Sequence, residues 1–212
     1  MKQTLVQDVM TTAVVTAGET TPYRDLVGLL YAGGFGAVPV IDSERRVLGV
    51  VSSADLAVKA AGRPARWQLA RPGRRREWRK AQARTAGELM TAPAVTITPA
   101  ATAGQAARLM HGHRVGRLPV TDPLTGRLAG IVTRSDLLAV YLRPGEEIRT
   151  EIEADVLPQV PGAYASWLKV DVRDGVVTIS GRVGRRSAVA GLVRAVLQAE
   201  GVIQVDADIA PI

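Results

Sequence analysis

The stretch GVVSSADLA, Gly49 to Ala57, has a counterpart in GIVTRSDLL, Gly130 to Leu138. In each, an apolar run ends in Ser52 or Thr133, an aspartate follows three residues later at Asp55 or Asp136, and a leucine comes next. That spacing is a helix start: the hydroxyl accepts from one exposed amide of the first turn while the carboxylate reaches back to another. The same groups suit a nucleotide, because helix amides and a hydroxyl can donate to phosphate while a carboxylate accepts from ribose hydroxyls. Capping and binding are compatible, so the repetition of the stretch is what decides the architecture.

The repetition extends along the chain. DVMTTAVVT, ending at Thr16, aligns with ELMTAPAVT, ending at Thr96, and GAVPVID from Gly36 aligns with GRLPVTD from Gly116, both at an offset of 80. After one extra residue in the following turn, the opening stretches align at an offset of 81. Such self-similarity marks two copies of one structural unit. Each copy predicts a short strand around Val14-Val15 or 95–97, a helix, a strand at 38–41 or 118–121, a polar turn, a strand at 48–51 or 128–132, and a closing helix. Leu26, Val27, Leu29 and Leu30 supply the apolar face of the first helix in one copy, and Ala103, Ala106, Ala107 and Met110 do so in the other. A βαββα unit of this size leaves one sheet face open, which the second copy covers. The expectation is an α/β (α+β) fold with two such units packed as a pseudo-two-fold pair.

Residues 144–212 break the pattern. Ile148, Ile152 and Val156 recur every four residues, as on one face of a helix ending near Pro158. Leu168, Val170 and Val172 alternate toward Asp174-Gly175, and Val177 and Ile179 follow, a hairpin signal because Asp-Gly accepts positive φ. Val189, Leu192, Val193, Val196 and Leu197 then fall on one helical stripe before Gly201, and Ile203, Val205, Ala207 and Ile209 read as one face of a last strand. The predicted order is αββαβ. The organisation is therefore 1–62, a connector at 63–84, 85–143, and a small domain at 144–212.

The net charge of +7 is local. Arg63, Arg66, Arg71, Arg74, Arg75, Arg76, Arg79, Lys80 and Arg84 stand against Glu77 alone in the connector, so the rest of the chain is close to neutral. Trp67 and Trp78 interleave with these charges, as in segments that grip nucleic acid or an anionic membrane, although a solvated connector with its tryptophans packed on a neighbouring domain has the same composition. There is no cysteine, which excludes a disulfide framework, a thiolate metal site and a cysteine nucleophile. His111 and His113, the only histidines, lack acidic neighbours to complete a metal site. GRVGRRS lacks the Lys-Ser/Thr ending of a phosphate-binding loop, and no catalytic constellation is found. The N-terminus carries no secretory apolar stretch and no run is long enough to span a membrane, which gives the cytoplasm as the expected compartment.

The Gly-x-hydrophobic-Pro-Val strand and the Gly-hydrophobic-hydrophobic-Ser/Thr-x-x-Asp junction, each present twice in register, resemble CBS domains, and the tandem resembles a Bateman module. The last segment resembles a BON domain through its αββαβ order, the Asp-Gly hairpin, VTISGRV, and Gly201-Val202. The first resemblance implies adenosine nucleotides such as AMP, ADP or ATP bound in clefts between the copies, with Ser52 or Thr133 toward phosphate and Asp55 or Asp136 toward the ribose hydroxyls. By the same analogy, backbone near Val15 and Ala37, or near Val95 and Arg117, lines the purine pocket. It also implies a homodimer, since such pairs commonly associate into a flat disc. The second resemblance implies phospholipid or membrane association, and binding of a partner protein fits that segment equally well.

The two candidate sites differ in charge. Arg134 follows Thr133, and Arg114 and Arg117 precede the second Pro-Val strand, where the first copy has Ser53, Gly34 and Ala37. Guanidinium groups make paired charged hydrogen bonds with phosphate, which favours Thr133 and Asp136 for a phosphate-rich ligand. The leading expectation is a non-catalytic regulatory protein that needs no cofactor and senses adenine nucleotide. It would relay occupancy to the BON-like domain or to a protein partner. The alternative is a dimeric scaffold that holds nucleic acid or anionic membrane through Arg74, Arg75 and Arg76 and the BON-like domain.

Overall fold

A computed structural model describes residues 3–60 and 74–211. Arg63, Arg66, Trp67 and Arg71 of the connector lie outside the described residues, as do the side chains of Arg74, Arg75 and Arg76. The described residues from Leu5 to Arg134 form one compact unit, and those from Ser135 onward, with Gln3 and Thr4, form another.

The first unit holds both repeats. Its first half runs α1 (Val6–Val9), β1 (Ala17–Gly18), α2 (Tyr23–Gly33), β2 (Ala37–Ile41), β3 (Val47–Ser52) and α3 (Ser53–Ala60). The second half runs α4 (Arg74–Gln82), α5 (Ala86–Leu89), α6 (Ala103–His113), β4 (Arg117–Thr121), β5 (Leu128–Thr133) and α7 (Arg134–Leu138), the last continuing into the second unit. β2 pairs antiparallel with β3, and β4 with β5, in matching registers: Ala37 opposes Ser52 and Arg117 opposes Thr133. The opening strand is β1 at Ala17–Gly18, parallel to β2, and in the second copy it shrinks to a single parallel bridge between Ile97 and Val120. Val14 and Val15 are not in a strand, and Val15 is exposed. Apolar β-branched character placed the strand too early, because a strand this short is set by its pairing with Val40 rather than by its own propensity. Val27 and Ala107, expected on the apolar helix faces, are exposed as well, while Leu26, Leu30, Ala106 and Met110 are buried.

The pseudo-two-fold is visible in the contacts that cross between copies. Thr11 bridges Ile131 and Thr91 bridges Val50; Leu5 bridges Thr102 and Pro22 bridges Thr85; each is the other's image under the sequence repeat. Arg46 and Arg127, themselves equivalents, bridge each other. Each copy therefore sends its N-terminal segment onto the other copy's sheet. The crossing requires glycine where it passes: a Cβ on Gly49 would come 2.9 Å from the Thr91 carbonyl oxygen and 2.6 Å from Met90 Sδ, and one on Gly130 would come 3.0 Å from the Thr11 carbonyl oxygen and 2.7 Å from Met10 Sδ. The exchange also mixes the cores, since Ala83, Ala86 and Leu89 pack with Leu26, Leu30, Val38, Val40, Val51 and Leu56.

The second unit runs α8 (Gly145–Glu151), a π-helical stretch Ile152–Val156 and a 3₁₀ turn Leu157–Gln159, then β6 (Leu168–Arg173), β7 (Val176–Val183), α9 (Arg186–Val196) and β8 (Gln204–Pro211). Ile148, Ile152 and Val156 are all fully buried. A residue every fourth position drifts off one face of an α-helix, and the wider π turn brings Val156 back to the core. Asp174 and Gly175, with φ of 50° and 76°, close the β6–β7 hairpin as the sequence predicts, and β8 lies parallel to β7. One sheet face packs on Leu192, Val196, Ile148 and Ile152. Ala188 belongs to that core, whereas Leu197, Ile203 and Ala207 are exposed. Among the described residues, no helix is long and apolar enough to cross a membrane.

Candidate functional site

The first repeated junction forms the helix start that its sequence encodes. Ser52 closes β3 and α3 begins at Ser53. The Asp55 amide donates to Ser52 Oγ at 3.3 Å, and the Ser52 amide donates back to Asp55 Oδ2 at 2.8 Å, a reciprocal capping box. The Ser52 hydroxyl donates to the same Oδ2 at 2.6 Å.

The other carboxylate oxygen is held by a residue that the sequence grouped with the solvated connector charges. Lys80, on α4, donates from Nζ to Asp55 Oδ1 and, at 2.9 Å, to Thr91 Oγ1. Its 6% exposure makes it a buried cation, neutralised by a carboxylate whose own side chain is 15% exposed. The helix that carries it is fastened to α3: Lys59 Nζ donates to the Ala83 carbonyl and stands 4.7 Å over the Tyr23 ring, while the Tyr23 hydroxyl donates to the Leu56 carbonyl at 3.2 Å. The sequence signal was slight: Lys80 is the one lysine among eight arginines in the connector.

Ser52 and Asp55 open onto a cavity of about 300 Å³. Gly36, Ala37 and Val50 of the first copy line one side, and Thr91, Pro93, Ala94 and Val95, delivered by the strand exchange, line another. Arg114, Val115, Gly116 and Arg117 complete it. Arg117 Nη1 donates to the Ala37 carbonyl at 3.3 Å, a contact between residues that are equivalents under the repeat and so lie at the pseudo-two-fold. Arg114 caps α6 in the left-handed region at φ 54°, ψ 38°, where the first copy has Gly34 at φ 62°, ψ 20°.

This grouping differs from the one read along the sequence. The sequence groups Val95 and Arg117 with Thr133 and Asp136; Arg117 does lie opposite Thr133 in the β4–β5 pair, but its side chain and Val95 line the cavity of Ser52, Asp55 and Ala37. For Val95 the reason is the exchange of N-terminal segments, and for Arg117 it is the meeting of β4 with Ala37 at the pseudo-two-fold; neither is visible in one copy alone. Thr133, Asp136 and Val15 are not among the residues lining this cavity, and Thr133 and Asp136 are each engaged in interactions within the protein. Arg134 is exposed and donates from Nη2 to the carbonyl of Val115, a lining residue, at 3.2 Å. The cavity therefore combines an apolar wall, two guanidinium groups and a carboxylate already paired with a lysine. Among the described residues, no group of three or more His, Cys, Asp and Glu is placed to hold a metal ion.

Residues 6–62 and 86–143 each match the CBS domain family. In three dimensions the chain is similar to CBSX2 of Arabidopsis thaliana, solved in complex with AMP, with 29% identity and a TM-score of 0.58 over 66% of this chain and 97% of that one. A CBS domain-containing protein of Dictyostelium discoideum is 29% identical over 68% of this chain and 95% of its own. The matches to uncharacterized proteins of Methanocaldococcus jannaschii and Methanopyrus kandleri, 27% and 24% identical over 75% and 66% of this chain, span 37% and 64% of those proteins' lengths. With two matching segments that together cover more than half of its length, each corresponding to one sequence repeat, the chain belongs to the CBS domain family.

Proposed function

We propose that the protein is a non-catalytic regulatory module that binds an adenine nucleotide in the Ser52–Arg117 cavity. The observation that carries this reading is the assembly, in one cavity, of Arg114 and Arg117 with the apolar wall of Val50, Pro93, Ala94, Val95 and Val115. Guanidinium groups suit a phosphate, and an apolar slot with backbone carbonyls and amides suits a purine. AMP bound to the structurally similar CBSX2 supports the same ligand class. Because the cavity is lined by both copies, a ligand that binds one mutual arrangement better than another would shift the pair toward it, which is the physical content of sensing.

The segment from residue 144 is the proposed receiver of that shift, directly or through a protein partner, and its αββαβ order supports a BON-like reading. Homodimerisation through the CBS pair belongs to the same proposal. The test is thermal unfolding of the purified protein with AMP, ADP and ATP: the melting temperature rises with nucleotide concentration, and the rise shrinks in Arg117→Ala. Absence of any shift with all three nucleotides at millimolar concentration refutes the reading.

A further inference from the structure

Asp55 is the carboxylate that ribose hydroxyls would need, and the protein already uses it. Its Oδ2 accepts from the Ser52 amide at 2.8 Å and from the Ser52 hydroxyl at 2.6 Å, and its Oδ1 accepts from Lys80. A carboxylate offers about four acceptor positions, so three are filled, and a paired grip on two neighbouring hydroxyls is not available. The Ser52 hydroxyl, whose single hydrogen is donated in a hydrogen bond to Asp55, is likewise spent as a donor to phosphate.

Lys80 is not a side chain that swings aside at no cost. It is buried, it holds Thr91 Oγ1 as well as Asp55, and its helix is fastened by Lys59 at Ala83, which is itself 3% exposed within the core. Withdrawing it would leave Asp55 as an unpaired, mostly buried charge. Lys80 also lies outside the two segments that match the CBS domain family, in the stretch between the copies.

We infer that Lys80 determines ligand specificity at this cavity: by occupying Asp55 it removes recognition of the ribose diol, so that a nucleotide is selected by its phosphate, through Arg114 and Arg117, and by its base. The inference rests on the nucleotide reading above and narrows it, since ribonucleotides and 2′-deoxyribonucleotides become nearly equivalent ligands.

The experiment is titration calorimetry of the full chain with AMP and with 2′-deoxy-AMP, on the wild type and on Lys80→Met. The wild type is expected to bind both within about threefold of each other, and Lys80→Met, with Asp55 released, to favour AMP by about tenfold. A wild-type preference for AMP beyond about threefold overturns the inference while leaving nucleotide binding intact, and so does an unchanged ratio in the folded variant. Failure of the wild type to bind either nucleotide overturns the nucleotide reading and this inference together. The wild-type ratio requires no variant, so the inference is decided even where Lys80→Met does not fold, and Lys80→Gln provides a second, more polar replacement.

Discussion

Arg114 occupies a backbone conformation that its own repeat partner assigns to glycine, and this predicts opposite effects of one substitution on stability and on binding. At φ 54° an L-residue bears about 1–2 kcal/mol of steric cost that glycine does not. Glycine in turn gives the unfolded chain more freedom, which costs about 0.5–1 kcal/mol. The Arg114 side chain is exposed, so its packing adds little to either side. Arg114→Gly is therefore expected to stabilise the protein by about 0.5–1 kcal/mol, seen as a higher urea midpoint with unchanged slope. The same substitution removes a guanidinium from the cavity and is expected to weaken AMP binding by about tenfold or more. Gly34→Ala is the mirror experiment: a Cβ there meets nothing within 4 Å, so the backbone cost alone is measured, and a loss of about 0.5–1 kcal/mol is expected with the cavity charge untouched. A lower urea midpoint for Arg114→Gly would refute the backbone argument. A higher midpoint with unaltered AMP affinity would refute its role in the site.

Further outcomes follow from other parts of the molecule. Gly49→Ala and Gly130→Ala each drive a Cβ against a crossing carbonyl and a methionine sulfur, and each is expected to destabilise by about 1–3 kcal/mol; a neutral result at either position in urea unfolding contradicts the close crossing. Asp122 accepts from the Thr125 amide at 2.8 Å, the Thr125 hydroxyl at 2.9 Å and the Leu124 amide at 3.0 Å, and these hold its carboxyl below its ordinary value of 3.8, the Thr125 amide most of all. Its contribution to stability is thus present above the unfolded-state value and fades as pH falls through the lower folded-state one. Carbon-13 NMR titration should show the depressed carboxyl in the wild type and a rise in Thr125→Ala; equal titration in both proteins rejects the hydroxyl's part. Should the connector serve as a tether, neutralising Arg74, Arg75 and Arg76 together will abolish binding to DNA, RNA or anionic vesicles that weakens steeply with salt, and no such binding at low salt disposes of that role.

Much of the fold was legible because its units are local. The strand-to-helix junctions at Ser52 and Thr133, the Pro-Val strands, and the Asp174-Gly175 hairpin are each specified by residues within a few positions of one another. The misplaced first strand shows the limit: β1 is two residues long and exists through its pairing with Val40 and Ile41, far along the chain. The candidate site is legible in its parts and not in its grouping. Ser52, Asp55, Ala37, Val95 and Arg117 can all be picked from sequence, and so can a cleft between the copies, but not that Val95 of the second copy lines the cavity of Ser52 and Asp55 of the first.

The sequence by itself determined that there are two copies of one βαββα unit, that a different αββαβ segment follows, and that the positive charge is concentrated between the copies. These are properties of repeats, periodicity and composition, which a chain carries whatever its conformation. Only the tertiary structure decided that the segment at Thr91 crosses to the first copy, that Arg114 and Arg117 line one cavity with Asp55, and that Lys80 is buried against that carboxylate. The physical reason is that both results depend on which surfaces meet. A lysine in a basic helix is a solvated charge until packing removes the water and supplies a carboxylate in its place.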